Sequence, residues 1–513
     1  LRSELLWALE ILAWNPKYLI RVCSILCRLS QKKLEDNYAN KPENSLKSIF
    51  RSWMPQTSAS LEQRLNTLDL LIKKFPAAGW SICIDQLSMH NRTGFPNERP
   101  RWRSEANGHG HPNLGDEMQR FREAAFEFCI SYSHHDAETL GELVRNINSL
   151  DEPRKLLVWK CIEDWSRNSA DEQEKSKLRE AIRQSYVRRN RKKLAIGVPT
   201  ESDRKSNQVF EMLAPVDIVI FYEWLFKKQW IDDPADELGN GKFDYKKNEE
   251  KILQRRTDAL ATIWQAKGNE GISKMLDLSG IPFTIGWCLA YEAISPEGIS
   301  NFLLDWASKY CITLDRKIFD MVRGFVSKLT EQDLGERLLS FQGTWRKPEL
   351  LTVFLAAPFY RVTWDLLPSD LTTEYWQKIE PRWDGKNHSH FDEIIDNLLE
   401  ANRPVAAFNA IHLKLDEVGT NRLIKVLRGI ALNTTEKIFE FTSFDISRAM
   451  QLLQGRHDVN EAEMADLEFM YMAVLEHEDC GIPFLEEQIV KSPLLYVQVL
   501  AMTFRRKDGG QDP

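Results

Sequence analysis

Helical spacing of apolar residues recurs along nearly the whole chain, and it limits the available folds more than any other feature. Leu467, Met470, Tyr471, Val474 and Leu475 fall at i, i+3, i+4, i+7 and i+8, which places them on one stripe of a helix. Leu61, Leu65, Leu68 and Ile72 repeat the pattern, as do Leu253, Leu260, Ile263 and Trp264. Strand-like alternation is rare. Residues 215–226, PVDIVIFYEWLF, carry the β-branched and aromatic residues of a strand. No second strand pattern stands beside them to take up the backbone donors and acceptors, so a buried helix is expected there as well.

Prolines divide this helical text into pieces of hairpin size, at Asn15-Pro16, Lys41-Pro42, Phe75-Pro76, Glu152-Pro153, Asp233-Pro234, Ile281-Pro282, Ser295-Pro296, Arg403-Pro404 and Ser492-Pro493. Proline suits the first turn of a helix, and each piece holds one or two helices, as stacked helix pairs require. No strict period emerges. The expected fold is all-α, an irregular TPR/HEAT-like, right-handed superhelix of stacked helical hairpins. The expected organisation is a helical segment 1–90 continuing from a missing upstream domain, an irregular loop 91–115 and a central helical segment 116–230. A linker 231–248, a helical-repeat segment 249–505 and a frayed tail 506–513 follow. The loop NRTGFPNERPRWRSEANGHGHPNLG is the longest irregular stretch, hence the best place for exposed functional residues.

Bulk properties remove whole classes of function. With 43% hydrophobic and 28% charged residues, the 513-residue chain reads as folded and globular. Its net charge of -7 mixes 68 basic with 75 acidic residues, so nothing global draws it to nucleic acid or anionic lipid. The longest strongly apolar run, Leu5 to Trp14, is interrupted by Glu10 and falls far short of the roughly 20 residues that cross a bilayer. It also lacks the basic lead and cleavage site of a signal peptide. Eight scattered cysteines read as reduced core residues, which points to the cytoplasm. Cys23 and Cys27 lie one turn apart, without a second pair or a histidine at zinc spacing.

Local clusters leave three candidate chemistries. Arg101, Trp102 and Arg103 sit in the long loop and suit a protein interface, where Trp and Arg dominate binding energy. Arg183, Tyr186, Arg188, Arg189, Arg191, Lys192 and Lys193, with Arg179 just upstream, could neutralise phosphates and stack a base. Acids in DEQEKSKLRE immediately before them can absorb part of that charge through i to i+4 pairing, leaving a solvated helix face. His109, His111, His134 and His135 are the weak candidates for a metal site. His388, His390 and Asp392 fail a binuclear hydrolase pattern, because Glu393 occupies the place of its next histidine; Ser389 or Asp392 is instead expected to start the following helix. No P-loop, H-E-x-x-H, G-x-S-x-G or kinase motif occurs. No catalytic residue and no cofactor are therefore expected.

Several strings, in this order, carry a family resemblance: WALEILAW with NPKYL (7–19), ANKPENSLKSIFRSWMPQTSAS (39–60), RPRWR (99–103), YEWLF (222–226), YWQKIEPRWDG (375–385), ANRPVAAFNAIH (401–412) and LEFMYMAVLEHED (467–479). They resemble the C-terminal helical half of large bacterial proteins of the STAND-type NTPase class of antiviral defence. The resemblance implies a sensor arm whose repeats bind a foreign protein and release or assemble an NTPase core. It further implies an effector and nucleotide-binding portion before Leu1, through which the protein could oligomerise. The matching strings are packing and turn motifs and assign no catalytic residue. A protein partner is thus expected, with nucleic-acid binding through 183–193 and a cryptic metal-dependent enzyme as the alternatives, and no membrane association.

Overall fold

A computed structural model describes residues 2–32, 40–88, 96–101, 104, 115–168, 171–187, 200–231, 245–381, 390–433 and 442–503, with backbone alone at 186–187 and 502–503. The described residues are all-α, in keeping with a helical-repeat fold. They contain no strand, only an isolated bridge between Ala290 and Ile294. None of their helices is long and apolar enough to cross a membrane. The chain divides into two compact units, Leu1–Ile252 and Leu253–Pro513.

The first unit contains α1 (Arg2–Ala13), α2 (Pro16–Ser30), α3 (Pro42–Ile49), α4 (Leu61–Lys74), α5 (Pro76–Leu87), α6 (Asp116–Ser131), α7 (Ala137–Asn146), α8 (Glu152–Asn168), α9 (Glu172–Ile182), α10 (Glu201–Met212) and α11 (Ile218–Tyr222). The run α12 (Tyr245–Leu278) contains the unit division and is broken at Gly268, whose φ of 53° is not helical. The second unit continues with α13 (Pro282–Leu289), α14 (Ile299–Thr313), α15 (Arg316–Lys328), α16 (Glu331–Phe341), α17 (Lys347–Ala356), α18 (Arg361–Asp365), α19 (Thr372–Lys378), α20 (Phe391–Glu400), α21 (Pro404–Ile411), α22 (Thr420–Leu432), α23 (Ser443–Gln454), α24 (Glu461–His477), α25 (Pro483–Lys491) and α26 (Pro493–Thr503). Most helices pack on sequence neighbours or on the next but one, as α1 on α2, α5 on α6, α7 on α9, α13 on α15, α20 on α21 and α24 on α25, and α14 packs also on α17.

Start signals in the sequence explain many boundaries. Proline opens α2, α3, α5, α13, α21 and α25, where its missing N–H costs nothing. Asn15 caps α2, Ser60 and Gln63 form a capping box on α4, and Asp136 with Thr139 does the same for α7. Within 215–226, Asp217 caps α11 and a 3-10 turn, Glu223–Leu225, comes directly after it.

A second kind of cap crosses between helices. Glu152 of α8 accepts from Ser202 N at 2.8 Å, and Glu172 of α9 accepts from Val216 N at 3.1 Å and Asp217 N at 3.0 Å. Glu174 accepts from Ala137 N at 3.3 Å, and Glu468 of α24 from Leu485 N at 2.7 Å. Each carboxylate meets orphan amides at the start of another helix, where charge is also favourable for the helix dipole.

These side chains alter the expected stripes. On α24, Leu467, Tyr471 and Leu475 are buried, but Met470 is 39% exposed and Val474 only half-buried. Glu468 lies inside instead, because the α25 amide and Gln454 Nε2 satisfy its oxygens. On α4, Leu61 and Leu68 are buried with Arg64, which pairs with Glu117 through Nη2 and lies over the Phe121 ring.

The helices α13 and α15 cross through two glycines. A Cβ on Gly286 would lie 2.6 Å from Phe325 N, and one on Gly324 would lie 2.7 Å from the Phe283 carbonyl carbon and nearer still to its oxygen. Backbone meets backbone there, so neither position accommodates a side chain.

Candidate functional site

In the first unit, residues 96–100 run as a strap along α1, and a set of specific contacts fixes it. Trp14, fully buried at the end of α1, donates from Nε1 to Glu98 O at 3.0 Å, while the Arg99 guanidinium lies 4.7 Å above its ring. Asn97 N donates to Gln56 Oε1 at 3.0 Å and Glu98 N to Glu10 Oε2 at 3.3 Å. The other Glu10 oxygen accepts from Ser45 Oγ of α3 at 2.6 Å. One carboxylate therefore ties α1, α3 and the strap together.

Between these elements opens a cleft of about 390 Å³, with Trp7, Glu10, Asn44, Ser48, Arg51 and Asn97 in its wall. Trp7 is 42% exposed and supplies an indole surface. Arg51 donates to Ser48 Oγ at 3.0 Å and lies 5.2 Å over the Trp53 ring. Burial lowers its pKa, and the charge of Asp85 partly offsets that effect. The Asn97 side-chain amide nitrogen is buried without a hydrogen-bond partner. An exposed indole beside the polar side chains of Asn44, Ser48 and Arg51 suits a segment that brings an apolar group and a hydrogen-bonding group. A second hollow of about 310 Å³ has Arg154 in its wall, but Glu123 at 3.2 Å and Asp151 at 2.9 Å already pair with that residue.

Arg101 is exposed at the end of the strap, whereas Trp102 and Arg103 lie outside the described residues. The cleft is not legible in the sequence. Trp14 and Gln56, which hold the strap, lie more than 40 residues before it, and no local spacing signals the pairing.

Of the histidine candidates, His109 and His111 lie outside the described residues, and His134 is exposed. His135 packs edge-on against Trp80 and Tyr132, with ring centroids 5.6 Å apart in both cases, and neither ring nitrogen is hydrogen-bonded. Burial lowers its pKa. No group of three or more His, Cys, Asp or Glu side chains among the described residues is placed to hold a metal.

Arg183 is held by Glu180 through Nε at 2.7 Å and lies 4.2 Å over the Trp224 ring. Arg179 lies 4.0 Å over Phe210 and 5.0 Å over Phe221. These two cations are part of the packing among α9, α10, α11 and the 3-10 turn at Glu223–Leu225. The Tyr186 side chain and Arg188, Arg189, Arg191, Lys192 and Lys193 fall outside the described residues.

The start of α20 departs from expectation. His390 occupies the cap position without a side-chain cap bond, and Asp392 sits inside the first turn, where Arg422 pairs with it at 2.9 Å. An acid there still favours the helix dipole, so its charge serves the helix start although its oxygen does not cap. Ser389 and His388 lie outside the described residues. All eight cysteines are free thiols, five of them buried. Burial raises the pKa values of Cys23, Cys27, Cys83, Cys129, Cys161 and Cys288, that of Cys27 to about 12 and that of Cys161 to about 11.

No protein-family model matches this sequence, and no curated protein matches it significantly.

Proposed function

We propose that this chain is a non-catalytic helical-repeat sensor or scaffold region that binds another protein, as part of a larger, cytoplasmic bacterial defence NTPase of the STAND type. The observation that carries the binding role is the cleft under the strap, where segments from residues 6–10, 40–51 and 96–98 converge. Rigid helices hold its walls, Trp7 provides a large contact surface at low entropic cost, and the strap leads directly to Arg101. Stacked hairpins supply such concave surfaces without buried reactive groups.

The test is capture from the native host with the tagged chain, comparing wild type with Trp7→Ala, Arg51→Ala and Trp102→Ala. A captured protein reduced at least ~10-fold by these changes supports the reading, since truncating a central anchor costs about 2 kcal/mol or more. Capture unaltered by every variant refutes it. A captured nucleic acid released by added salt points instead to the basic 183–193 segment.

A further inference from the structure

The hollow of about 310 Å³ opens where the end of α5, the first half of α6 and the start of α8 meet, and it shares no wall residue with the cleft under the strap. The charged and polar groups of its wall already hold one another or the backbone. Arg122 Nε donates to Gln86 O at 3.1 Å and Ser149 Oγ to Leu87 O at 2.5 Å, so both serve carbonyls in the last turn of α5. Asp151 accepts from Arg154 N at 3.0 Å, in the first turn of α8, and from Arg154 Nη1 at 2.9 Å. Glu123 accepts from Arg154 Nη2 at 3.2 Å and from Gln119 Nε2 at 3.0 Å. The two guanidinium groups and two carboxylates of the wall therefore balance. Its remaining surface is apolar, from Leu87 and Phe126, which are buried, and Met118 and Leu150, which are half-buried.

We propose that this hollow is a socket for one large, uncharged apolar side chain, of leucine or phenylalanine size, carried by a peptide segment of a partner protein. An arriving charged group would compete for partners that already have theirs, and whichever group lost would be left unsatisfied. An apolar group leaves every pair in place and takes the exposed carbon of Met118 and Leu150 out of water. The unbranched Met118 adapts to either shape. The paired charges at the edge then keep water from the anchor, as the surround of a binding hot spot does. The volume lies at the bottom of the range for cofactor and small-molecule sites, which fits a side chain better than a whole cofactor. A second copy of this chain, paired about a two-fold axis, would set hollow against hollow and fill neither.

The socket is independent of the cleft, so either reading can fail alone. The test titrates the full chain, with isotope-labelled methionine methyl groups, against blocked peptides N-acetyl-Gly-Ser-X-Ser-Gly-amide in which X is Leu, Phe, Glu, Lys or Gly. The Met118 signal is identified by its loss in Met118→Leu. The Leu and Phe peptides should shift it at concentrations at least ~10-fold below any effect of the Glu, Lys and Gly peptides, the preference expected from burying one large apolar side chain. Leu150→Glu puts a charge into the socket and should weaken the Leu peptide at least ~10-fold, with the other methionine signals in place to show that the fold is kept. Trp7→Ala, in the cleft, should leave the titration unchanged. Binding of none of the peptides, equal binding whatever the residue at X, or a Leu-peptide affinity that survives Leu150→Glu and is lost with Trp7→Ala each overturns the proposal.

Discussion

The crossing of α13 and α15 makes Gly324→Ala an informative perturbation. The new Cβ would lie 2.7 Å from the Phe283 carbonyl carbon, whereas ordinary contact begins at 3.4 Å, so the helices must part by at least ~0.7 Å. No rotamer relieves this, because both partners are backbone. Ile285, Met321, Val322 and Phe325 are fully buried on these helices. With roughly ten contacts each across the crossing at ~0.1–0.2 kcal/mol, losing up to half of each well forfeits about 3 kcal/mol. Alanine returns about 1 kcal/mol of helix propensity, leaving a net loss of about 2 kcal/mol. At a urea slope of about 3 kcal/mol/M, the midpoint falls by roughly 0.7 M. Hydrogen exchange in urea, read on peptides from α13 to α15, tracks this unit by itself. The matched control is Gly335→Ala in α16, whose Cβ would sit at ordinary distance, 3.7 Å from Leu366 Cδ1. It should raise stability by up to about 1 kcal/mol. Two shifts of the same sign, or an unchanged midpoint for Gly324→Ala, would refute the close-contact argument.

Three further outcomes are expected. Glu117→Ala strands the charge of Arg64 and should cost about 2–3 kcal/mol in urea unfolding of the first unit, whereas Arg64→Met, which removes the charge and fills the space, should stay near neutral. Burial raises the pKa of Glu468, so its protonated form is favoured in the fold, and the stability this contributes is lost as pH rises through the raised value. Thermal melts should therefore show wild type weakening relative to Glu468→Gln as pH rises above the ordinary glutamate range, and Glu468→Ala should lose about 1–2 kcal/mol with its cap on α25. His135 has the opposite sign: its lowered pKa makes the neutral ring the folded form, so stability present above the usual histidine range is lost as pH falls through the folded value. Tryptophan fluorescence from Trp80 and Trp165, whose indoles meet the His135 ring and carbonyl, should change on acidification in wild type and not in His135→Phe.

Fold class was readable because helical spacing and proline starts are local signals: Asn15-Pro16, Ser60 with Gln63, and Asp217 each announce a helix from adjacent residues. Arg64 and Glu468 were not readable as core, because each is buried only by virtue of a partner elsewhere in the chain, Glu117 in one case and the α25 amide in the other. The candidate site was hidden for the same reason. Trp14 looked like ordinary core, and only the folded chain brings its indole N–H to the Glu98 carbonyl. Arg183 shows the converse, a surface-looking cation that Trp224 and Glu180 draw into packing.

Carboxylates that cap a neighbouring helix make the register between helices a chemical matter as well as a steric one. Where Glu152 serves Ser202, or Glu468 serves Leu485, deleting a hairpin would strand an acid in one element and bare amides in another. Such a protein can gain or lose length only in blocks that carry donor and recipient together. Lineages of it should therefore differ by whole acid-to-amide modules, and designers who splice it should cut outside those pairs.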